Sequence, residues 1–173
     1  MTEKQENILK AALKLFANEG YASTSTSKVA KAAGVSEGLI FRHFKNKEGL
    51  LEAIMLNSAE AAKKMLSDVV MTSEPKEVIR KILELPYNID KKEYEMWRLT
   101  YALKWQTDSY SSEKYNPVRL VLKNAFDQLG YENPEAEVEL VFILMDGAAT
   151  AILLHEPTNK NEILKALKSK YKL

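Results

Sequence analysis

Apolar residues recur along this chain at the spacing of helices, and strand-like alternation is missing. The first periodic segment runs from Glu3 to Glu19. Its apolar face consists of Ile8, Ala12, Leu15 and Phe16. There are only six glycines and five prolines, and most of them fall between such segments or at their ends. The pattern therefore predicts an all-α protein.

Capping residues, glycines and prolines mark the ends of further predicted helices in the rest of the chain. The Ser/Thr run 23–27 provides a cap for a short helix, and Gly34 precedes a second short helix that ends near Phe44. Asn46 caps a longer helix that continues well past Leu56. The remaining predicted helices cover about 75–85, 91–107, a segment ending at 129, 134–155 and a last segment ending near 171.

Composition sets the class of protein. The chain has 173 residues, of which 46% are hydrophobic and 28% charged, as in ordinary globular proteins. The absence of Cys excludes disulfides, thiolate zinc sites and cysteine nucleophiles. The two histidines, His43 and His155, are far apart and have no second ligand at helical spacing. We therefore expect no metal and no cofactor.

The N-terminal residues contain no apolar segment of the kind found in a signal peptide. The longest apolar stretch, Leu140 to Leu154, has 15 residues and includes Asp146. A membrane span needs about 20 apolar residues. We therefore expect a soluble cytoplasmic protein that does not enter a membrane.

Basic charge is concentrated in the N-terminal third. Residues 1–48 contain eight Lys and Arg and five Asp and Glu, whereas the remainder contains 17 and 19. An anionic partner is therefore expected to bind the N-terminal third first.

The same region has the element order of a helix-turn-helix, with two short helices joined by a Gly-containing turn after a longer helix. The outward side of the second short helix offers Glu37, Arg42 and His43. In the major groove of DNA, Arg reads guanine and Glu accepts a hydrogen bond from cytosine. Lys47 begins the next helix, where its ammonium and the helix N-terminus point at one anion together.

At these residues the sequence resembles the tetracycline-repressor (TetR) family of transcription regulators, over about the first 55 residues. The stretches that carry the resemblance are Gly20–Thr26, Val29–Ala30, Ala33–Gly38 and Phe41–Leu51. The resemblance implies a homodimer whose paired recognition helices read a pseudo-palindromic operator. It also implies a helix-turn-helix DNA-binding domain at 1–46 and a helical effector-binding and dimerisation domain at 47–173.

The family pattern also assigns roles to residues of this chain. By resemblance, Ser25, Thr26 and Lys47 are expected to contact phosphates. The expected recognition-helix surface is Ser36, Glu37, Gly38, Leu39, Phe41, Arg42 and His43. Three positions depart from the pattern. Phe41 replaces a usual Tyr, Glu37 stands where a basic or neutral residue is common, and Thr26 takes a slot often aliphatic.

The predicted helix 134–155 is apolar on two faces, so both faces need cover. One arrangement is a four-helix interface made by this helix and the last helix of two subunits. The alternative is that both faces pack within one subunit. The candidate interface residues are Val141, Met145, Ala148, Ala149, Ile152, Ile163, Leu164 and Leu167.

The predicted helix 91–107 carries two apolar stripes. One is aromatic, with Tyr94, Trp97, Tyr101 and Trp105, and the other contains Met96, Leu99 and Leu103. One stripe belongs to the core, and the other is a candidate wall of an effector pocket. An aromatic stripe is more often plain core, but the family architecture provides a pocket. The candidate pocket residues are Tyr94, Trp97, Tyr101, Trp105, Phe126 and Phe142.

Enzyme motifs are missing, since the sequence has no Gly-rich phosphate loop, no zinc-ligand spacing and no nucleophile elbow. The sequence and the resemblance together predict a transcriptional repressor that binds double-stranded DNA and is released by a small-molecule effector. The alternative is a DNA-binding protein of the same fold with an architectural or non-promoter role.

Overall fold

The computed structural model describes residues 1–103 and 115–173, and every regular element in those ranges is helical. The all-α prediction is therefore confirmed. The α-helices are α1 (Glu3–Glu19), α2 (Thr26–Ala33), α3 (Glu37–Phe44), α4 (Lys47–Val70), α5 (Pro75–Glu84), α6 (Tyr94–Leu103), α7 (Asn116–Gln128), α8 (Pro134–His155) and α9 (Lys160–Lys170). Two short 3₁₀ helices, Leu85–Asn88 and Lys91–Glu93, lie between α5 and α6.

Side-chain caps begin several helices where the sequence predicts them. Ser25 accepts a hydrogen bond from the Lys28 N–H at the start of α2. The Asn46 side chain likewise accepts from the Gly49 N–H at the start of α4. Each cap satisfies a backbone donor that has no partner inside the helix.

The described residues form two compact units. The first contains Met1–Ala61 and residues 92–103, and the second contains 62–91 and 115–173. The predicted division after residue 46 thus falls inside the first unit. The first part of α4 belongs to the same unit as α1, α2 and α3, because its Leu50 and Ile54 are buried in the same core.

The core of the first unit joins the helix-turn-helix segment to α1, α4 and α6. Its members are Ile8, Leu9, Ala12, Phe16, Val29, Ala30, Ile40, Leu50, Ile54, Leu99 and Leu103. Each of the two short helices of the helix-turn-helix contributes a fully buried side chain, Val29 from α2 and Ile40 from α3. Burial of a Val or Ile side chain contributes about 1.5–3 kcal/mol, so these contacts hold two helices that are too short to be stable alone.

The second unit has its own core, formed mainly by α5, α7 and α8. Phe126 lies at its centre, and its ring meets Tyr131 edge-on with 4.9 Å between centroids. Tyr171, which follows α9, packs at 5.9 Å from the same ring. Burial, and after it the charge of Glu137, raises the pKa of the Tyr171 phenol to about 12. The phenol is therefore neutral at neutral pH.

The helix α8 is longer than the apolar stretch Leu140 to Leu154, since it extends for 22 residues. By length and composition alone it is sufficient to cross a membrane, contrary to the expectation from the stretch itself. One such helix is weak evidence for insertion, because the core helix of a soluble protein has the same composition.

Candidate nucleic-acid interface

The turn between α2 and α3 sets the geometry of the helix-turn-helix. Gly34 adopts a left-handed conformation with φ of 67° and ends α2. The next backbone N–H, from Val35, returns to the carbonyl of Ala30 at 3.0 Å. A non-glycine residue is strained at this φ, so the sequence places glycine where the chain reverses.

Several polar side chains lie at the N-terminal ends of α2 and α3. Ser25 is exposed, and because its hydroxyl accepts the capping bond, its own hydrogen stays available for a phosphate. The Thr26 hydroxyl donates to the Glu37 carboxylate, with 2.6 Å between Oγ1 and Oε1. Ser36 is the exposed N-cap of α3 but makes no side-chain capping bond.

The remaining predicted residues of α3 divide between surface and core. Gly38, Arg42 and His43 are exposed, and Phe41 is 47% exposed. Leu39 differs, because it is half-buried and packs against the core of the first unit. The structure thus brings a short polar and aromatic surface together on one side of α3, with Leu39 at its edge.

Gln5 of α1 lies beside this surface, although the sequence did not single it out. Its side-chain nitrogen Nε2 lies 3.3 Å from His43 Nδ1, and its oxygen accepts from the Thr2 N–H at 2.8 Å. The sequence signal was the capping box of α1, in which Thr2 and Gln5 are three residues apart. The capping box holds Gln5 where its amide orients the His43 ring.

Lys47 occupies the first turn of α4, as predicted. Its ammonium donates to the carbonyl of Ala22 at 3.2 Å and lies 4.3 Å from the centroid of the Tyr21 ring. The Tyr21 hydroxyl in turn donates to Glu48 at 3.3 Å. Burial raises the pKa of the Tyr21 phenol above its usual value, and the charge of Glu48 raises it further. These contacts hold a cation at the junction of the α1–α2 turn and α4.

Three of the four stripe residues proposed for an effector pocket lie in α6. Tyr94 is buried, Trp97 and Tyr101 are half-buried, and Trp105 lies outside the described residues. On the other stripe, Leu99 and Leu103 belong to the core of the first unit. The leucine stripe therefore faces the core. The indole nitrogen of Trp97 is buried and has no hydrogen-bond partner in the described ranges.

The two pocket candidates from the second unit have different surroundings. Phe126 is completely buried in the core of that unit. Phe142 is half-buried, and the guanidinium of Arg119 lies 4.5 Å from its ring centroid.

The candidate interface residues of α8 point mostly into the chain's own core. Val141, Ala149 and Ile152 are at most 2% exposed, whereas Met145 and Ala148 are half-buried. Buried side chains are not available to a partner. The apolar face of α8 that is exposed lies on the other side of the helix from these residues. It contains Leu140, Ile143 and Leu154, which are 44%, 66% and 64% exposed. On α9, Ile163 is 38% exposed, and Leu164 and Leu167 are half-buried.

No group of three or more His, Cys, Asp or Glu side chains able to hold a metal ion occurs within residues 1–103 and 115–173.

Comparison with protein families gives a match to the bacterial regulatory proteins of the tetR family, over residues 8–54. The HTH-type transcriptional regulator YerO of Bacillus subtilis is 29% identical over 62% of this chain and 44% of its own length. The HTH-type transcriptional repressor AcnR of Corynebacterium glutamicum is 32% identical over 72% of this chain and 62% of its own length. The chain thus spans about half the length of these relatives.

The fold has close counterparts among solved structures. The TetR family transcriptional regulator PfmR from Thermus thermophilus superposes with a TM-score of 0.73 and 22% sequence identity. The superposition covers 98% of this chain and 95% of that one. The names of these proteins describe regulators of transcription and not enzymes. The match at 8–54, the relatives and the shared fold support a regulator of the TetR family, whose family pattern the chain matches in its N-terminal segment.

Proposed function

We propose that the protein is a DNA-binding transcriptional repressor that binds a pseudo-palindromic operator as a homodimer and is released by a small-molecule effector. The observation that supports DNA binding is the exposed surface of α3, with Arg42 and His43 on it and the capped starts of α2 and α4 beside it. It coincides with the segment that matches the family. Backbone and side-chain donors at helix N-termini hold phosphates, and α3 then presents base-reading groups to the major groove.

The exposed stripe of α8 supports the homodimer. Leu140, Ile143, Gly147, Ala151 and Leu154 follow one another at spacings of three or four residues, so they lie on one face. Side chains of this size leave a large apolar patch in water, which is a common sign of an interaction surface. A Cβ placed on Gly147 would meet no atom within 4 Å, so a partner helix has room to approach there. We therefore place the interface on this face rather than on the buried one.

Dimerisation sets the spacing of the DNA-reading helices. Two half-sites on the same side of B-DNA lie about 34–36 Å apart, and a twofold dimer presents one α3 to each. An effector releases the operator only if it binds one spacing of these helices more tightly than the other. The indole N–H of Trp97, unpaired among the described residues, supports an effector site at α6, because a ligand acceptor would satisfy that buried donor. A protein with this role works in the cytoplasm, where the chromosome lies.

The test is selection of bound sites from random duplex DNA with the purified full chain. The expected result is an inverted repeat whose half-sites are about one helical turn apart. Recovery of no sequence above background at low salt would contradict the proposal. Genome-wide binding then separates the regulator from an architectural protein, because a regulator occupies a few promoters and an architectural protein occupies many dispersed sites.

Arg42→Ala is expected to weaken operator binding by about 1–3 kcal/mol, because a guanidinium that reads guanine carries that much discrimination. Arg42 is exposed on α3, so the substitution leaves the core intact. Fluorescence anisotropy with operators mutated one base pair at a time measures the effect. The variant should lose its discrimination between bases at one position in each half-site and keep it at the other positions. An equal effect on every sequence would make Arg42 a phosphate contact instead.

Lys47→Ala is expected to weaken binding to all DNA sequences alike. Removal of one phosphate-binding cation reduces the slope of log K against log salt by about 1, so in a dimer the slope should fall by about 2. The measurement is a salt titration of operator binding. Lys63→Ala is a matched control that should leave the slope unchanged, because Lys63 is an exposed lysine about four turns further along the same helix. An unchanged slope for Lys47→Ala would place its ammonium outside the interface.

A further inference from the structure

We propose that Glu37, held in place by Thr26, reads one cytosine in each operator half-site. This inference rests on the proposed function. It starts from the hydrogen bond that joins α2 to α3, in which the Thr26 hydroxyl donates to Glu37 Oε1 at 2.6 Å. Both side chains are half-buried, so the bond is partly shielded from water. The carboxylate is therefore held in one orientation before DNA arrives.

The charge of Glu37 limits what it can bind. An ionised carboxylate only accepts hydrogen bonds, and beside a phosphate it is repelled. Among the described residues, the salt bridges do not include Glu37, so no cation neutralises it. Its negative charge is instead compatible with the first turn of α3, because the positive end of the helix dipole lies there. Glu37 thus favours binding only where the DNA offers a donor.

The major groove offers such a donor at few places. Cytosine presents its N4 amino group there, and a carboxylate is the usual acceptor for it. Adenine has a donor as well, but its neighbouring N7 is an acceptor that repels a carboxylate. The first residues of a recognition helix are those that contact base edges, and Glu37 is the first residue of α3. We therefore expect cytosine to be the base that Glu37 contacts.

Thr26 acquires a different role from the phosphate contact that the family resemblance implies. A hydroxyl has one hydrogen to donate, and the Thr26 hydrogen is used on Glu37. Thr26 is therefore a positioning residue for the carboxylate. Fixing the rotamer of Glu37 in advance also reduces the entropy that the side chain loses on binding DNA.

The test compares site selection by the full-length wild-type protein and Glu37→Gln. Glutamine keeps the shape but both donates and accepts, which matches adenine N6 and N7. The wild type is expected to select a C·G pair at one position per half-site, and the variant an A·T pair there with all other positions unchanged. Discrimination of 1–3 kcal/mol corresponds to a preference of about 5- to 150-fold.

Two further variants test the positioning role of Thr26. Thr26→Val removes the hydroxyl at nearly constant shape and is expected to relax discrimination at the Glu37 position only, with the salt slope unchanged. Thr26→Ser keeps the hydroxyl and is expected to behave as the wild type. If Thr26 bound a phosphate, Thr26→Val would weaken binding to all sequences and lower the slope by about 1 in each subunit.

The outcomes separate the inference from the proposed function. An inverted repeat selected by the wild type, with Glu37→Gln selecting the same bases, overturns the role of Glu37 and leaves the repressor proposal standing. Failure of the wild type to select any site overturns both. Thermal unfolding followed by circular dichroism establishes that each variant is folded, and Glu37→Gln should also retain the wild-type salt slope because it touches no phosphate.

Discussion

Ile143→Glu is expected to convert the proposed dimer into a monomer and to abolish tight operator binding. The side chain is 66% exposed in the single chain and lies in the middle of the apolar face of α8. In a twofold interface the new carboxylate is buried twice, and an uncompensated buried charge costs about 3–5 kcal/mol. Dimer dissociation should therefore increase by at least about 10⁴-fold. Sedimentation equilibrium measures it directly.

Met71→Glu is the matched control for this substitution. Met71 follows α4, is 84% exposed and is not part of the apolar face of α8, so the same change in charge adds no carboxylate to the proposed interface. It should leave both the dimer and operator binding unchanged. A dimer that survives Ile143→Glu would show that the exposed face of α8 is not the interface.

Phe126→Ala is expected to lower the free energy of unfolding by about 3–5 kcal/mol, the usual cost of removing a buried Phe. Its ring is completely buried and packs edge-on against Tyr131 and at a tilt against Tyr171, so truncation leaves a cavity that its neighbours cannot fill. Denaturant unfolding followed by circular dichroism gives the value.

Phe142→Ala serves as the comparison, because Phe142 is also aromatic and belongs to the same unit but is only half-buried. Its effect on stability should be clearly smaller than that of Phe126→Ala. Equal and small effects of both substitutions would mean that Phe126 lines an open cavity, as the sequence pattern suggested, rather than the core.

The helical elements could be predicted almost completely from local signals. Gly34 and Pro134 lie where backbone geometry restricts the chain, and Asn46 and Asn133 supply capping oxygens. Such signals act over a few residues, so they are readable without knowledge of the fold. The helix-turn-helix was predictable for the same reason, since its order of elements and its surface residues lie within one short stretch.

The roles of individual side chains were harder to predict from the sequence. The family resemblance placed Thr26 among phosphate contacts, but its bond to Glu37 joins two helices and depends on their packing. Gln5 and His43 are 38 residues apart and meet only because α1 and α3 share one core. Contacts of this kind arise from the tertiary arrangement of helices, which spacing along the chain does not specify.

The helix α8 illustrates the difference between what sequence periodicity predicts and what depends on tertiary packing. The spacing of apolar residues is enough to predict that α8 is a long helix with two apolar faces and that both faces need cover, because the periodicity of a helix fixes which residues share a face. The packing of the helices then places Val141 and Ile152 against the core and leaves Ile143 facing outward. Two faces of equal hydrophobicity gain nearly the same free energy from burial, so the choice between them depends on the shape and position of the neighbouring helices.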